Sequence, residues 1–230
     1  GDITVKQGLI GHQKPEDKSL SCKVICAGDV HASHSQYCYI EANNILVDRQ
    51  ASHSSMKAKN IIQNGQSELP KGKLFGGEIL DATKLITGEI GNESGAKMAI
   101  NLAASATQMT KDIDKSFSEL TAANEQVDSL QAALEKADLI KDADKKSELM
   151  NKIGTTQLYH SQQAEQLEKQ VASLEQQLNT LLDEAILTVN TVLHSGVEIH
   201  IFNKMLKTTR NFPPSSVKLE NNKIEIEFKT

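Results

Sequence analysis

The sequence predicts a mixed β and α protein: a parallel β-helix (solenoid) interrupted by a long antiparallel coiled-coil helical hairpin and closed by a C-terminal β return and hairpin. Three observations predict it. A short apolar pattern recurs at intervals of 15 and 16 residues in the first hundred positions. A Pro-free stretch from 103 to 186 carries apolar residues at 3-4 spacing. The short pattern then reappears beyond it. The expected divisions are 1–101 for the solenoid rungs, 102–186 for the hairpin, and 187–230 for the return strand and capping hairpin.

The repeat is read from four copies. Ile25-x-Ala27-x-x-Val30-x-Ala32 aligns with Ile40-x-Ala42-x-x-Ile45-x-Val47, with Met56-x-Ala58-x-x-Ile61-x-Gln63, and with Leu80-x-Ala82-x-x-Leu85-x-Thr87. Ile3-x-Val5-x-x-Gly8-x-Ile10 is a looser opening copy. Residues two apart share a face of an extended strand, and the three-residue step changes that phase as a corner would. A fixed period of this kind marks stacked units that bury their inner faces only against each other. The alignment places Ile25, Ile40, Met56 and Leu80 in one inner column and the alanines in another. The longer interval between Ala58 and Ala82 is expected to hold an outward loop around Gly65 to Gly76, with Pro70 in it. Sparse hairpin signals between copies oppose a sandwich of antiparallel strands.

The middle stretch contains a single Gly and is built mostly of good helix formers. Ile113, Leu120, Val127 and Leu134 recur every seven residues, with Phe117 and Asn124 at the interleaved positions. Further on, Leu167, Leu174 and Leu181 alternate with Val171, Leu178 and Ala185. This is the spacing of a coiled-coil seam. The charged run from Asp138 to Lys146 breaks the pattern and is expected to turn the chain back. Arms of about 40 residues would then reach roughly 60 Å. The centre of the second arm is polar, from Thr155 to Gln163. There Gln157, His160 and Gln163 are the candidate partner-binding residues.

Leu187-x-Val189-x-x-Val192-x-His194 matches the rung pattern again. Departure from and return to one stack require the two ends of the insertion to be neighbours, which favours an antiparallel hairpin over a single dimerising helix. Val197-Glu-Ile199-His-Ile201 alternates as a strand after Gly196. Val217-x-Leu219, Asn221-Asn222 and Ile224-x-Ile226-x-Phe228 read as a terminal hairpin that caps the stack.

Composition excludes several functions. The stretch 103–186 holds 8 Lys against 15 Asp and Glu, a balance of −7, while the remainder holds 17 Lys and Arg against 15, a balance of +2. Phosphate recognition needs clustered cations, so nucleic acid and anionic membranes are not expected partners. No apolar run reaches the ~20 residues of a membrane span. Trp is absent and aromatics are 3%, as suits a thin core of aliphatics and alanine. The chain opens Gly1-Asp2 without Met, which reads as a cut start and leaves room for targeting segments or an N-terminal domain upstream. Three cysteines, an odd number, favour a reducing compartment.

The densest group of chemistry-bearing side chains is Cys22, Cys26, His31, His34, Cys38 and His53, thiols and imidazoles of the kind zinc takes. No pair has the tight C-x-x-C spacing, and surface histidines with small buried cysteines account for the group, so no metal and no cofactor is expected. There is no Gly-x-Ser-x-Gly. Gly72-Lys73 and Gly76-Gly77 lack phosphate-loop spacing. Glu41 and Asp48 are read as solvated outer faces of rungs, and His160 as a polar residue tolerated at a helical seam. No catalytic residues are expected, and the protein is read as non-enzymatic.

Gly28-Asp29-Val30, the Ile40-Glu-Ala42-Asn-Asn-Ile45-Leu-Val47 rung, Gly76-Gly77-Glu78-Ile79, Gly88-Glu-Ile90-Gly91 before the helices and Val192-Leu-His-Ser-Gly196-Val197-Glu-Ile199 after them together resemble the bacterial flagellar assembly protein A family. The order solenoid, coiled coil, solenoid return extends the resemblance over nearly the whole chain. The sequence departs from the family pattern at Leu193-His194, where an aromatic followed by Pro is expected. The resemblance implies a scaffold acting in flagellar assembly or polar placement through contacts with other proteins, including flagellar or cell-pole components. It implies a cytoplasmic location with recruitment to the pole or flagellar base, no membrane insertion, and no catalytic residues to carry over; a homo-oligomer is compatible with it. The competing readings are a cytoskeletal β-helix that polymerises end to end, and a hexapeptide-repeat acyltransferase, which the 15-to-16-residue period opposes.

Overall fold

Each turn of the β region is built from short extended runs whose inward residues are mostly aliphatic and whose outward residues are mostly polar, as the two-residue alternation of a strand allows. The computed structural model describes residues 1–66 and 68–229. The chain divides into two compact units, residues 1–107 with 180–230, and residues 108–179.

In the first unit the strands in chain order are β1 (Ile3–Ile10), β2 (Cys22–Ile25), β3 (Val30–Gln36), β4 (Cys38–Ser52), β5 (Ser55–Asn64), β6 (Lys73–Phe75), β7 (Glu78–Asp81), β8 (Lys84–Ile90) and β9 (Met98–Leu102). After the helices come β10 (Ile186–Leu193), β11 (Val197–Ile201), β12 (Lys204–Lys207), β13 (Ser215–Glu220) and β14 (Lys223–Phe228). They pair in parallel until the C-terminal strands, and the register resolves three ladders. On face A, Val24, Ile40, Met56, Ile79, Ile100 and Ile199 are successive partners. On face B the column is Ile3, Val30, Ile45, Ile62, Leu85 and Leu187. On face C it is Leu9, Ser35, Ala51, Leu74, Ile90 and Leu193.

These ladders correct the sequence alignment at named positions. Ile25 is 59% exposed, and Val24 takes its place in the column with Ile40 and Met56. Ile79, fully buried, pairs with Met56 in place of Leu80. Ile62 pairs with Ile45 in place of Ile61, and Asn64 with Val47 in place of Gln63. The opening copy and the returning copy are also displaced: Ile3, Val5, Leu187 and Val189 lie on face B, not face A. The expected outward loop contains strand β6 of face C, which pairs with Gln50–Ser52 and with Glu89–Ile90.

All three ladders end in antiparallel pairings. β12 closes face A against β11, β13 closes face B against β10, and Phe212 bridges Leu193 on face C. β13 and β14 form the expected terminal hairpin, turning at Asn221 and Asn222, both with φ near +50° to +60°. Asparagine tolerates that left-handed backbone better than other residues with a side chain. The β11–β12 hairpin, turning at Phe202, has no counterpart in the sequence reading.

The helical insertion interrupts one corner, between faces A and B. Before it, the Ala103 N–H donates to the Ala82 carbonyl at 2.9 Å; after it, the Ile186 N–H donates to the adjacent Thr83 carbonyl at 3.1 Å. The chain thus resumes one residue along from where it stopped. Asp81 fixes the departure, accepting from the N–H groups of Ala104 (2.8 Å) and Ser105 (3.2 Å).

The second unit consists of parts of α1 (Ala106–Asp138) and α2 (Ala143–Glu184). The helices run antiparallel, as the contacts Gln157 to Gln131 (3.0 Å) and Gln170 to Ser116 (3.1 Å) require. Asp142 caps α2 through the Lys145 N–H, and the Lys146 ammonium ties back to Asp138 at 2.8 Å. Ala123, Ala164 and Leu167 form the buried centre, with Leu120 against it. On α1 the interleaved inner positions are Ser116 and Ala123, both buried, whereas Phe117 is 60% exposed and Asn124 is exposed. The step from each heptad position is three residues, not four. A wider side chain on that row would hold the helices apart where Ala164 faces them.

Candidate functional site

The corner that turns face C back to face A places two aromatic side chains in unusual backbone. Tyr37 (φ 51°) and His53 (φ 50°) occupy this corner in successive rungs, and Gly76 (φ 64°) occupies it in the next. Left-handed backbone costs a residue with a Cβ about 1–2 kcal/mol. The rings offset part of this by stacking, with centroids 4.8 Å apart and planes 10° apart, while Phe75 meets His53 edge-on at 6.0 Å. A Cβ on Gly76 would lie 2.6 Å from the His53 ring, so glycine there leaves the ring its place. Inside the same corner, Ser35 and Ser54 exchange a buried hydroxyl hydrogen bond at 2.9 Å, and Ser54 also accepts from the Cys38 N–H. Outside it lies an open groove of about 750 Å³ bordered by Lys18, Lys97, Glu78 and the Glu198–Lys207 pair. In the repeat alignment Cys22, Tyr37 and His53 each stand three residues before the leading apolar residue of their rungs; the structure keeps Tyr37 and His53 together at this corner, whereas Cys22 pairs with Cys38.

The six Cys and His candidates are spread over separate contacts. The Cys26 thiol donates to the Gly1 carbonyl at 2.9 Å. His31 bonds Asp48 at 2.7 Å on the outer side of face B. His34 covers Gly8, His53 stacks on Tyr37, and only Cys22 and Cys38 are direct partners in a ladder. Among the described residues no three His, Cys, Asp or Glu side chains converge as a metal would need.

The carboxylates singled out in the sequence serve cross-rung pairing. Glu41 accepts from Lys57 (2.8 Å) and from the Tyr39 hydroxyl (2.7 Å). The Lys57 and Tyr39 hydrogen bonds hold the Glu41 carboxyl below its ordinary range. Glu41 and Asp48 belong to different faces and share no partner. Gly72 packs directly on Asn64, and its carbonyl accepts from the Thr87 hydroxyl at 3.1 Å, so the Gly72-Lys73 dipeptide shapes the return into face C.

A second polar cluster shows in the sequence only at His194, the departure from the family pattern. On face C, Glu89 bonds the nearly buried His194 at 2.9 Å and Lys73 at 3.1 Å. Burial pushes the Glu89 carboxyl up, but the bonds from His194 and Lys73 outweigh it and leave it below its ordinary range. The Thr208 hydroxyl donates to the His194 carbonyl at 2.8 Å. His194, the position of the family departure, therefore joins three consecutive rungs.

Of the helical candidates, Gln157 and His160 lie on the inner row and Gln163 is exposed. Gln157 bonds Gln131 across the pair. His160 has a buried Nδ1 without a hydrogen-bond partner and packs edge-on to Tyr159.

No helix of the described residues is long and apolar enough to cross a membrane. No curated protein and no solved structure matches the chain. A family model does, the Flagellar Assembly Protein A β-solenoid domain, over residues 1–224. With that model spanning all three ladders, the helical insertion and the capping strands to the start of β14, the chain belongs to the flagellar assembly protein A family.

Proposed function

We propose that this chain is a non-enzymatic scaffold of flagellar assembly, a parallel β-helix whose inserted antiparallel coiled-coil hairpin is its partner-binding arm. The observation that carries this reading is the placement of the insertion between two adjacent carbonyls, those of Ala82 and Thr83. A segment looped out at one corner leaves the register of all three ladders intact, so it is free to serve contacts outside them. Its outer surface is polar and its charge is −7 over residues 103–186. Basic or amphipathic partner helices fit such a surface. Several titratable groups of the strand unit, Glu41 with Lys57, His31 with Asp48, and Glu89 with Lys73 and His194, are engaged in cross-rung pairs, in keeping with a structural use. The antiparallel closure of all three ladders opposes end-to-end polymerisation at the C-terminal end. The expected setting is the cytoplasm, with recruitment to the pole or flagellar base.

The test replaces residues 104–185 with a short Gly-Ser loop in the full chain. The variant should keep its strand signal in circular dichroism and lose the proteins recovered with the parent from flagellated cells. Recovery of the same partners by a folded variant would refute the arm's role.

A further inference from the structure

Cys22 and Cys38 are register partners in β2 and β4, one ladder step apart on face A. Neighbouring strands lie about 4.8 Å apart, within the Cα separation that a disulfide spans. Both side chains belong to the same alternation as Val24 and Ile40, so they share the inner side of the sheet. The two positions differ in access. Cys38 is fully buried, whereas Cys22 is half-buried. β2 is hydrogen-bonded to β4 alone, at the end of the ladder. Gly11 packs on Cys22 with no side chain to screen it: a Cβ there would lie 2.8 Å from that of Cys22. The third cysteine is occupied elsewhere, donating to the Gly1 carbonyl.

We propose that Cys22 and Cys38 form a redox-responsive thiol pair, which small-molecule disulfides convert reversibly into a covalent link between the first two strands of face A. The order of events follows from access. The Cys22 thiolate attacks one sulfur of the oxidant, forming a mixed disulfide and expelling one thiolate. The Cys38 thiol then loses its proton to solvent, and its sulfur attacks Cys22 Sγ, expelling the second thiolate. Two protein thiols are oxidised and one small disulfide is reduced to two thiols. Burial, with the neighbouring Cys22 thiol, pushes the Cys38 thiol up to about 12, which makes it the resolving and not the attacking partner. The ladder spacing favours Cα atoms more than Cβ atoms for this bond. Closure therefore strains the end strand, and a strained bond is readily reduced.

The test treats the native full chain with oxidised glutathione, alkylates the remaining thiols, and maps the peptides by mass. The expected product is a Cys22–Cys38 linked peptide lighter by two hydrogens, with Cys26 alkylated, and reversal by dithiothreitol. Cys38→Ser should stop at a glutathione adduct on Cys22. Cys22→Ser, at a half-buried end position, should keep the strand signal and leave Cys38 without an adduct. Linkage through Cys26, a disulfide between chains, or the same mixture of pairs from native and guanidinium-unfolded protein would each overturn the proposal. So would native thiols that stay fully alkylatable under conditions that oxidise the unfolded chain.

Discussion

Glu89 shows how much a single carboxylate contributes when three rungs converge on it. Burial raises its affinity for a proton, but His194 and Lys73 lower it further, so the folded state holds the carboxyl below its ordinary range. A depressed carboxylate contributes stability above its unfolded range, near pH 4.3, and loses it as pH falls through the folded value. Glu89→Gln should therefore cost about 1–3 kcal/mol at pH 7. The gap from the parent should close below about pH 4, as urea unfolding across pH would measure. At this scale the sequence is only partly informative. Tyr37 and His53 are visible as equivalent positions, and the ladder brings them ring to ring. His194 is visible only as a departure from an expected pattern, because nothing local indicates that residue 89 lies opposite residue 194. Gln163 groups with Gln157 and His160 by polarity, but it faces away from the inner row.

Among elements, three of the errors of register share one cause. Val24-Ile25, Ile61-Ile62 and Ile79-Leu80 are pairs of adjacent apolar residues, and a strand's period of two cannot say which member points inward. The ladder decides, because only one choice keeps Ile40, Met56 and Ile100 in line. Face C is hidden in the sequence for another reason: its early inner residues are Ser35 and Ala51, too small or polar to stand out. In the helices the seven-residue recurrence is legible, and the row between is not. Phe117 stands out by its size, yet Ser116 is the buried residue. Two substitutions test the seam. Leu167→Ala should cost about 2 kcal/mol or more, while Leu158→Ala, at a site 59% exposed, should cost far less. Helical signal followed through thermal unfolding would separate them. Gly154 lies inside α2, and a Cβ added there would meet nothing within 4 Å. Gly154→Ala should therefore raise helical stability by up to about 1 kcal/mol, read as a higher midpoint in the same unfolding curves.

For the molecule as a whole, the three antiparallel closures protect what would otherwise be open ladder edges. Ending the chain after Lys207 removes β13, β14 and the Phe212 bridge, and exposes the edge of β10 carrying the buried Leu187, Val189 and Leu193. Such an edge offers unpaired backbone to another chain. The truncated protein should associate in a concentration-dependent manner in sedimentation velocity, where the parent does so less.

The corner at Ala82 and Thr83 also bears on the order in which the chain can fold. β9 and β10 are consecutive strands of one turn, but residues 103–185 lie between them. Closing so long an unstructured loop carries an entropic cost that grows with its length. Zipping α1 against α2 first removes most of that cost, because it delivers residue 186 beside residue 102. The helical pair is then a gate on the last turn: until it zips, β8 has β5 but lacks β10, its second neighbour on face B, and the turn on which β12 and β13 close is not docked. A weakened seam should leave the native β signal unchanged at equilibrium and delay its final fraction in refolding, with the lag set by the helices.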